Sequence, residues 1–126
     1  MNRGQSCGED WLSNRRVAWL WPAAFFTVLV GRLLVPGPPG DVLAAAGFAV
    51  AGGLCVGNAS RCRRVHCAVT GPPYLVAALL FLGCARGAAI PAGWIVAGTV
   101  VGTALAFVPE LLGKRYFDAA PQAPKP

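Results

Sequence analysis

Charged side chains are scarce in this sequence. They make up 13% of the 126 residues, and only five of them are acidic, whereas soluble domains carry about 25% charged residues. So few charges cannot cover the surface of an ordinary soluble globule. Hydrophobic residues reach 56%, which excludes an intrinsically disordered chain. An integral membrane protein is the class that remains.

The sequence also lacks the common motifs of enzymes. It contains no phosphate-binding glycine loop, no HExxH zinc motif and no hydrolase triad pattern. No acidic residue or histidine lies at the centre of a long apolar stretch, where a proton or ion pathway would need one. We therefore predict a non-enzymatic protein. A nucleic-acid partner is not needed to explain the net charge of +6, because the orientation in the membrane accounts for it.

Long stretches without charge are what the sequence has instead. Residues 42–60 and 67–85 each contain 19 uncharged positions, residues 87–109 contain 23, and residues 17–35 contain one charge, Arg32. A transmembrane helix needs about 20 apolar residues, and no stretch shows the polar stripe of a water-soluble helix. We predict an all-α fold, a four-helix transmembrane bundle. Its helices are expected at about residues 17–35, 41–57, 72–86 and 91–109.

Three regions follow from this layout. Residues 1–16 form an N-terminal segment, and residues 17–118 form the membrane domain, in which residues 58–71 are a loop rich in Cys, His and Arg. Residues 119–126 contain three prolines, so we expect a disordered tail. The run Pro-Gly-Pro-Pro-Gly at residues 36–40 is typical of a turn that separates two helices.

The distribution of basic residues predicts the orientation. Four crossings place both termini and the loop at 58–71 on one side, which then holds nine of the 11 basic residues and leaves Arg32 and Arg86 on the other. Basic residues in short loops stay on the cytoplasmic side. We therefore predict a multi-pass protein of the bacterial inner membrane with both termini in the cytoplasm. The lipid bilayer is therefore one expected partner of the protein.

Two GxxxG patterns predict close helix packing. Gly53 and Gly57 lie one turn apart in the second predicted helix, and Gly98 and Gly102 lie one turn apart in the fourth. Small residues at this spacing let the backbones of two membrane helices approach. The pattern predicts a contact between the second and fourth helices, or an interface with a second copy of the chain or another membrane protein.

The densest polar block contains the candidate functional residues. If it is helical, Cys62 and His66 lie on one face at i,i+4, with Cys67 beside His66. Cys55 lies seven residues before Cys62, inside the membrane. Two thiolates and an imidazole are ligands for a soft metal ion, and neighbouring arginines favour the thiolate. A soft metal ion is the one cofactor that these residues suggest.

Other interpretations of the block stay open. Cys62-x3-His66-Cys67 is not a standard zinc spacing, and buried cysteine is also an ordinary small apolar residue. The arginines are explained by topology and by attraction to anionic lipid headgroups; they are Arg61, Arg63 and Arg64. Three functions therefore remain: a structural or interaction protein, a protein that binds or transports a soft metal, and a membrane thiol-redox sensor.

The same block resembles that of a family of small, uncharacterised prokaryotic multi-pass membrane proteins, with the pattern N-x-x-R-C-x-R-x-H-C-x-x-T-G-P. The matching residues are Asn58, Arg61, Cys62, Arg64, His66, Cys67, Thr70, Gly71 and Pro72. The resemblance covers about 15 residues. It implies a membrane protein and supplies no activity, substrate or cofactor. Ala68 and Pro73 stand where the family tends to carry aromatic residues.

Overall fold

The chain folds into an all-α bundle, as predicted. The computed structural model describes Trp11, residues 14–114 and Phe117; the predicted N-terminal segment lies largely outside these residues, and the Pro-rich tail at 119–126 lies wholly outside them. The helices are α1 (Arg15–Ala18), α2 (Leu20–Leu33), α3 (Pro38–Cys62), α4 (Val65–Ala85) and α5 (Ala92–Leu111). Helices α2 to α5 form the bundle, and α1 is a single turn that leads into α2.

Three helices, α3, α4 and α5, are long and apolar enough to cross a membrane. Helix α2 has 14 residues and therefore spans about 21 Å, less than the roughly 30 Å of a bilayer core. Many large apolar side chains face outward, among them Phe26, Leu79 and Leu105, each about two-thirds exposed. Such a surface suits lipid and not water, and the fold is that of a membrane protein.

The predicted break between the first two helices is present, but α3 begins earlier than expected. Gly37 has a positive φ of 73°, which glycine adopts without strain. Pro38 and Pro39 then occupy the first turn of α3, where a missing N–H costs nothing because that group has no helical acceptor.

The predicted loop at 58–71 is almost entirely helical. Helix α3 continues to Cys62 and α4 already starts at Val65, so the connection is only Arg63 and Arg64. Arg63 has left-handed backbone angles, φ 51° and ψ 34°, which reverse the chain. Pro72 and Pro73 lie inside α4 and do not start it, because membrane helices tolerate proline where neighbouring groups satisfy the freed carbonyls.

The helices pack in chain order, α2 against α3, α3 against α4, and α4 against α5. Small residues line the central contact, so aromatic rings can fill the space between helices. Phe48 of α3 stacks on Phe81 of α4 at 5.7 Å, and Tyr74 lies 5.8 Å from the rings of both Phe25 and Phe48. These rings form the core below the polar site.

The closest helix approaches use glycines outside the predicted GxxxG pairs. A Cβ at Gly47 would lie 2.5 Å from the Ala24 carbonyl oxygen in α2, whereas Gly53, Gly98 and Gly102 have open space beside them. Helices α3 and α5 do not pack against each other within the described chain, so these glycines make no such contact in one molecule. An interface with a second copy through them stays a prediction.

Candidate functional site

A buried polar cluster lies at the junction of α3 and α4, where α5 ends. His66 and Cys67 occupy the first turn of α4 and are 5% and 0% exposed. They are held there because the two-residue connection brings the start of α4 against the last turns of α3. Cys55 and Asn58 of α3 are equally buried. Four polar side chains thus share one dry environment, in which each needs a partner.

The Cys67 sulfur is the centre of this cluster. His66 Nε2 lies 3.3 Å from Cys67 Sγ. The Asn58 side-chain amide donates a hydrogen bond to the same sulfur at 3.6 Å, and the thiols of Cys55 and Cys67 interact with each other. Asn58 donates to the Cys67 sulfur, which favours its thiolate form, and the imidazole lies where it can take the thiol proton.

Glu110 fixes the orientation of the His66 ring. Its Oε1 lies 2.5 Å from His66 Nδ1 and also accepts a hydrogen bond from Arg64 Nε at 3.2 Å. The ring stacks on Phe107 with centroids 4.5 Å apart. Because a carboxylate can only accept at neutral pH, Nδ1 carries the proton. Nε2 then faces Cys67 as a base, so the three side chains have the order of nucleophile, base and orienting acid.

The second thiol, Cys55, is placed by Thr70 and Gly71. The Thr70 hydroxyl donates to the His66 carbonyl oxygen at 2.8 Å, and its oxygen lies 3.3 Å from Cys55 Sγ. A Cβ at Gly71 would lie 3.2 Å from the Cys55 Cβ and 2.8 Å from a Val56 methyl group. Glycine there lets α4 approach α3 closely enough for the thiols to meet.

Trp11 covers the end of the cluster. Its backbone N–H donates to the Asn58 side-chain oxygen at 3.1 Å, which leaves the Asn58 amide group to donate to Cys67. The Arg61 guanidinium lies 5.3 Å from the centre of the Trp11 ring, and the ring fills the space beside Gly57. Trp11 is thus connected to the Cys67 thiol through Asn58.

The cysteines differ in state. Cys62 is disulfide-bonded, whereas Cys55, Cys67 and Cys84 are free; the remaining cysteine in the sequence, Cys7, lies outside the described residues. Cys62 was one of the predicted soft-metal ligands, and its sulfur is already occupied. Cys55, the more distant candidate, is the residue whose thiol meets Cys67.

Of the predicted ligands, the structure therefore brings together Cys55, His66 and Cys67. Within the described ranges, no group of three or more His, Cys, Asp or Glu side chains has the arrangement of a metal centre. The three arginines also separate: Arg61 and Arg63 are exposed, while Arg64 points inward to Glu110.

Sequence reasoning missed Glu110 as the partner of His66. It also did not place Asn58 and Thr70 beside the thiols, although both belong to the same polar block. The one available signal was their polarity beside long apolar stretches, because a polar residue in such a place usually has a partner.

No protein-family model, curated protein or solved structure that was compared with the chain matches it.

Proposed function

We propose that this membrane protein is a thiol-redox sensor, in which Cys67 is the reactive thiol and Cys55 the second thiol of the pair. The observation that carries the proposal is the Cys67–His66–Glu110 arrangement, with 3.3 Å from sulfur to Nε2 and 2.5 Å from Nδ1 to the carboxylate. An imidazole held by a carboxylate against a thiol is the usual means of activating that thiol. The resemblance to uncharacterised multi-pass membrane proteins is compatible with such a role.

The oxidant in this proposal is a small-molecule disulfide. His66 Nε2 takes the Cys67 thiol proton, and the thiolate attacks one sulfur of the disulfide. The S–S bond of the small molecule breaks, a mixed disulfide forms on Cys67, and the departing thiolate takes the proton from His66. The Cys55 sulfur then attacks Cys67 and releases the second small thiolate, which takes the Cys55 proton. The protein loses two hydrogen atoms, and the oxidant becomes two thiols.

The burial of both sulfurs suits a switch more than a catalyst. Cys67 is 0% and Cys55 1% exposed, so each encounter with an oxidant requires local opening. Oxidation would link α3 to α4 covalently and remove the contact between Cys67 and His66. The consequence of oxidation is then a change in how α3 packs against α4. Each molecule undergoes this change once and turns over no substrate, in keeping with a non-enzymatic protein.

Oxidation of the purified full-length protein with dipyridyl disulfide tests this proposal. We expect a Cys55–Cys67 disulfide, identified by peptide mass spectrometry, with the Cys62 linkage unchanged. Cys55→Ser should stop the reaction at the mixed disulfide on Cys67, whereas Cys84→Ser should behave like the wild type. A link from Cys67 to Cys84, or unreacted Cys55 and Cys67 in protein that remains folded, would contradict the proposal.

Binding of a thiophilic cation is the second candidate, and one observation favours it. Histidines that ligate metals usually donate their other N–H to a carboxylate, as His66 does to Glu110. Thiolates select soft ions such as Cu(I), and Cys55 with Cys67 supplies two. This function would be favoured if the reduced wild-type chain retains one Cu(I), if both Cys55→Ser and Cys67→Ser lose it, and if no Cys55–Cys67 disulfide forms.

We also propose that the protein crosses the membrane four times with both termini in the cytoplasm. Helices α1 and α2 together run from Arg15 to Leu33, about 28 Å at 1.5 Å per residue, and provide the first crossing. The 9-to-2 distribution of basic residues supports this orientation. The disulfide at Cys62 favours the opposite one, since disulfides persist mainly in oxidising compartments. The basic residues act during insertion and therefore set the orientation before any disulfide forms.

Labelling of introduced cysteines in intact cells decides the orientation. Ser60 and Ala89 are both exposed, at opposite ends of the bundle. With an impermeant maleimide, Ala89→Cys should be labelled from outside, and Ser60→Cys only after the membrane is broken. The reverse result would place the thiol cluster on the outer side.

A further inference from the structure

A cleft of about 680 Å³ separates α2 from α5. These two helices are the ends of the chain-order packing and do not pack against each other. The walls of the cleft are apolar, with Phe25 and Leu29 on α2 and Val96 and Val100 on α5, and the one charged residue in them is Arg32. An apolar cleft in a membrane protein is filled by something apolar, because empty space forfeits dispersion contacts.

The length of the cleft matches one leaflet of a bilayer. On α2 it extends from Phe25 to Leu33, which is about 12 Å at 1.5 Å per residue. Half of a 30 Å hydrocarbon core is roughly 15 Å. Arg32 therefore lies at the headgroup end of the cleft, and Phe25 lies towards the middle of the bilayer.

The charge at the mouth is positioned to bind an anion. Arg32 Nη1 is held by Asp41 Oδ1 at 2.6 Å, and its guanidinium lies 5.5 Å from the centre of the Phe81 ring. These contacts fix the side chain but use few of its five N–H donors. The first residues of α5, Ala92 and Gly93, line the same cleft, and the start of a helix adds partial positive charge there.

The size of the cleft argues against a protein helix as its occupant. The apolar walls extend only about 12 Å along α2, little more than two helical turns, which is short for packing a membrane helix of about 20 residues. An acyl chain is thinner and has no backbone polar groups to satisfy. The dimensions and the single charge together fit an amphipathic molecule with a phosphate headgroup.

We infer that the cleft between α2 and α5 binds one phospholipid, with an acyl chain along α2 and α5 and its phosphate at Arg32. The lipid would supply the missing contact between the first and last helices of the bundle. This site is separate from the thiol cluster, and the inference does not depend on the proposed redox function.

Native mass spectrometry of the full chain, released from bilayer discs containing phosphatidylglycerol, tests the inference. We expect one phosphatidylglycerol per chain. Val100→Trp, which fills the cleft, should lower retention roughly tenfold or more, because several buried CH₂ contacts are lost. Leu105→Trp is the matched control: Val100 and Leu105 are 62% and 64% exposed on the same helix, but Leu105 does not line the cleft.

A second pair of variants tests the headgroup. Arg32→Gln should remove the preference for phosphatidylglycerol over a diacylglycerol with the same acyl chains, whereas Asp41→Asn, which keeps the arginine, should not. Unchanged circular dichroism shows that the variants remain folded. Equal retention by Val100→Trp and wild type would overturn the site, as would a dimer in place of the lipid adduct.

Discussion

Replacing His66 with Gln is expected to slow alkylation of Cys67 by roughly 10²–10⁴-fold at neutral pH, the range that a positioned general base contributes. Glutamine fills a similar volume but cannot take the thiol proton that His66 Nε2 is placed to accept at 3.3 Å. The rate is measured with a small membrane-permeant maleimide on the reduced full-length protein, by mass spectrometry of the Cys67 peptide.

Cys55 provides an internal reference for this measurement. It is as buried as Cys67, at 1% against 0% exposed, but it lies against the hydroxyl of Thr70 and not against a base. Its rate should therefore change little in His66→Gln. Phe107→Leu, which removes the ring stacked on His66 but keeps the base, should have a smaller effect. If Cys67 in His66→Gln reacted at the wild-type rate, His66 would have only a structural role.

The second large effect is expected at Gly47. Gly47→Ala would place a methyl group 2.5 Å from the Ala24 carbonyl oxygen and 2.6 Å from a Val28 methyl group. Backbone atoms of α2 cannot turn aside as a flexible side chain can, so α2 must move away from α3. Overpacking of this kind costs about 1–3 kcal/mol. Thermal unfolding in detergent, followed by circular dichroism, should show a lower midpoint.

Gly53→Ala is the matched control. Gly53 lies in the same helix, and nothing is within 4 Å of the position that its Cβ would take. Alanine is favoured over glycine in a helix interior by about 1 kcal/mol, so this variant should unfold at the same temperature or higher. A loss of stability in Gly53→Ala as large as that in Gly47→Ala would indicate a contact with another molecule at Gly53.

The predicted architecture followed from the sequence because it depends on local quantities. A long stretch without charge has few alternatives to an apolar helix, whatever surrounds it, since an exposed backbone cannot be satisfied in lipid. The turn at residues 36–40 could likewise be predicted, because glycine allows the positive φ of Gly37 and each proline fixes its own φ. The helix starts were less accurate: Pro72 can begin a helix or lie inside one, and only its neighbours decide.

Part of the candidate site could be predicted from the sequence for the same reason. His66 and Cys67 are adjacent in the chain, so their proximity needed no fold. Glu110 is 44 residues from His66, and its pairing with His66 and Arg64 depends on how α5 lies against α4. The meeting of Cys55 with Cys67 depends on the close approach at Gly71, a distance between helices that no local pattern contains.

By itself, then, the sequence determined the all-α class, the apolar helices and the position of the polar block, because burial of apolar surface and backbone dihedral limits act residue by residue. Only the tertiary structure decided which polar groups are buried together. Each hydrogen bond between them is stronger there, because the interior has a low dielectric constant. The tertiary structure places Cys55 and not Cys62 beside Cys67, brings Glu110 to His66, and leaves a cleft between α2 and α5. These are properties of helices packed together and not of any one helix.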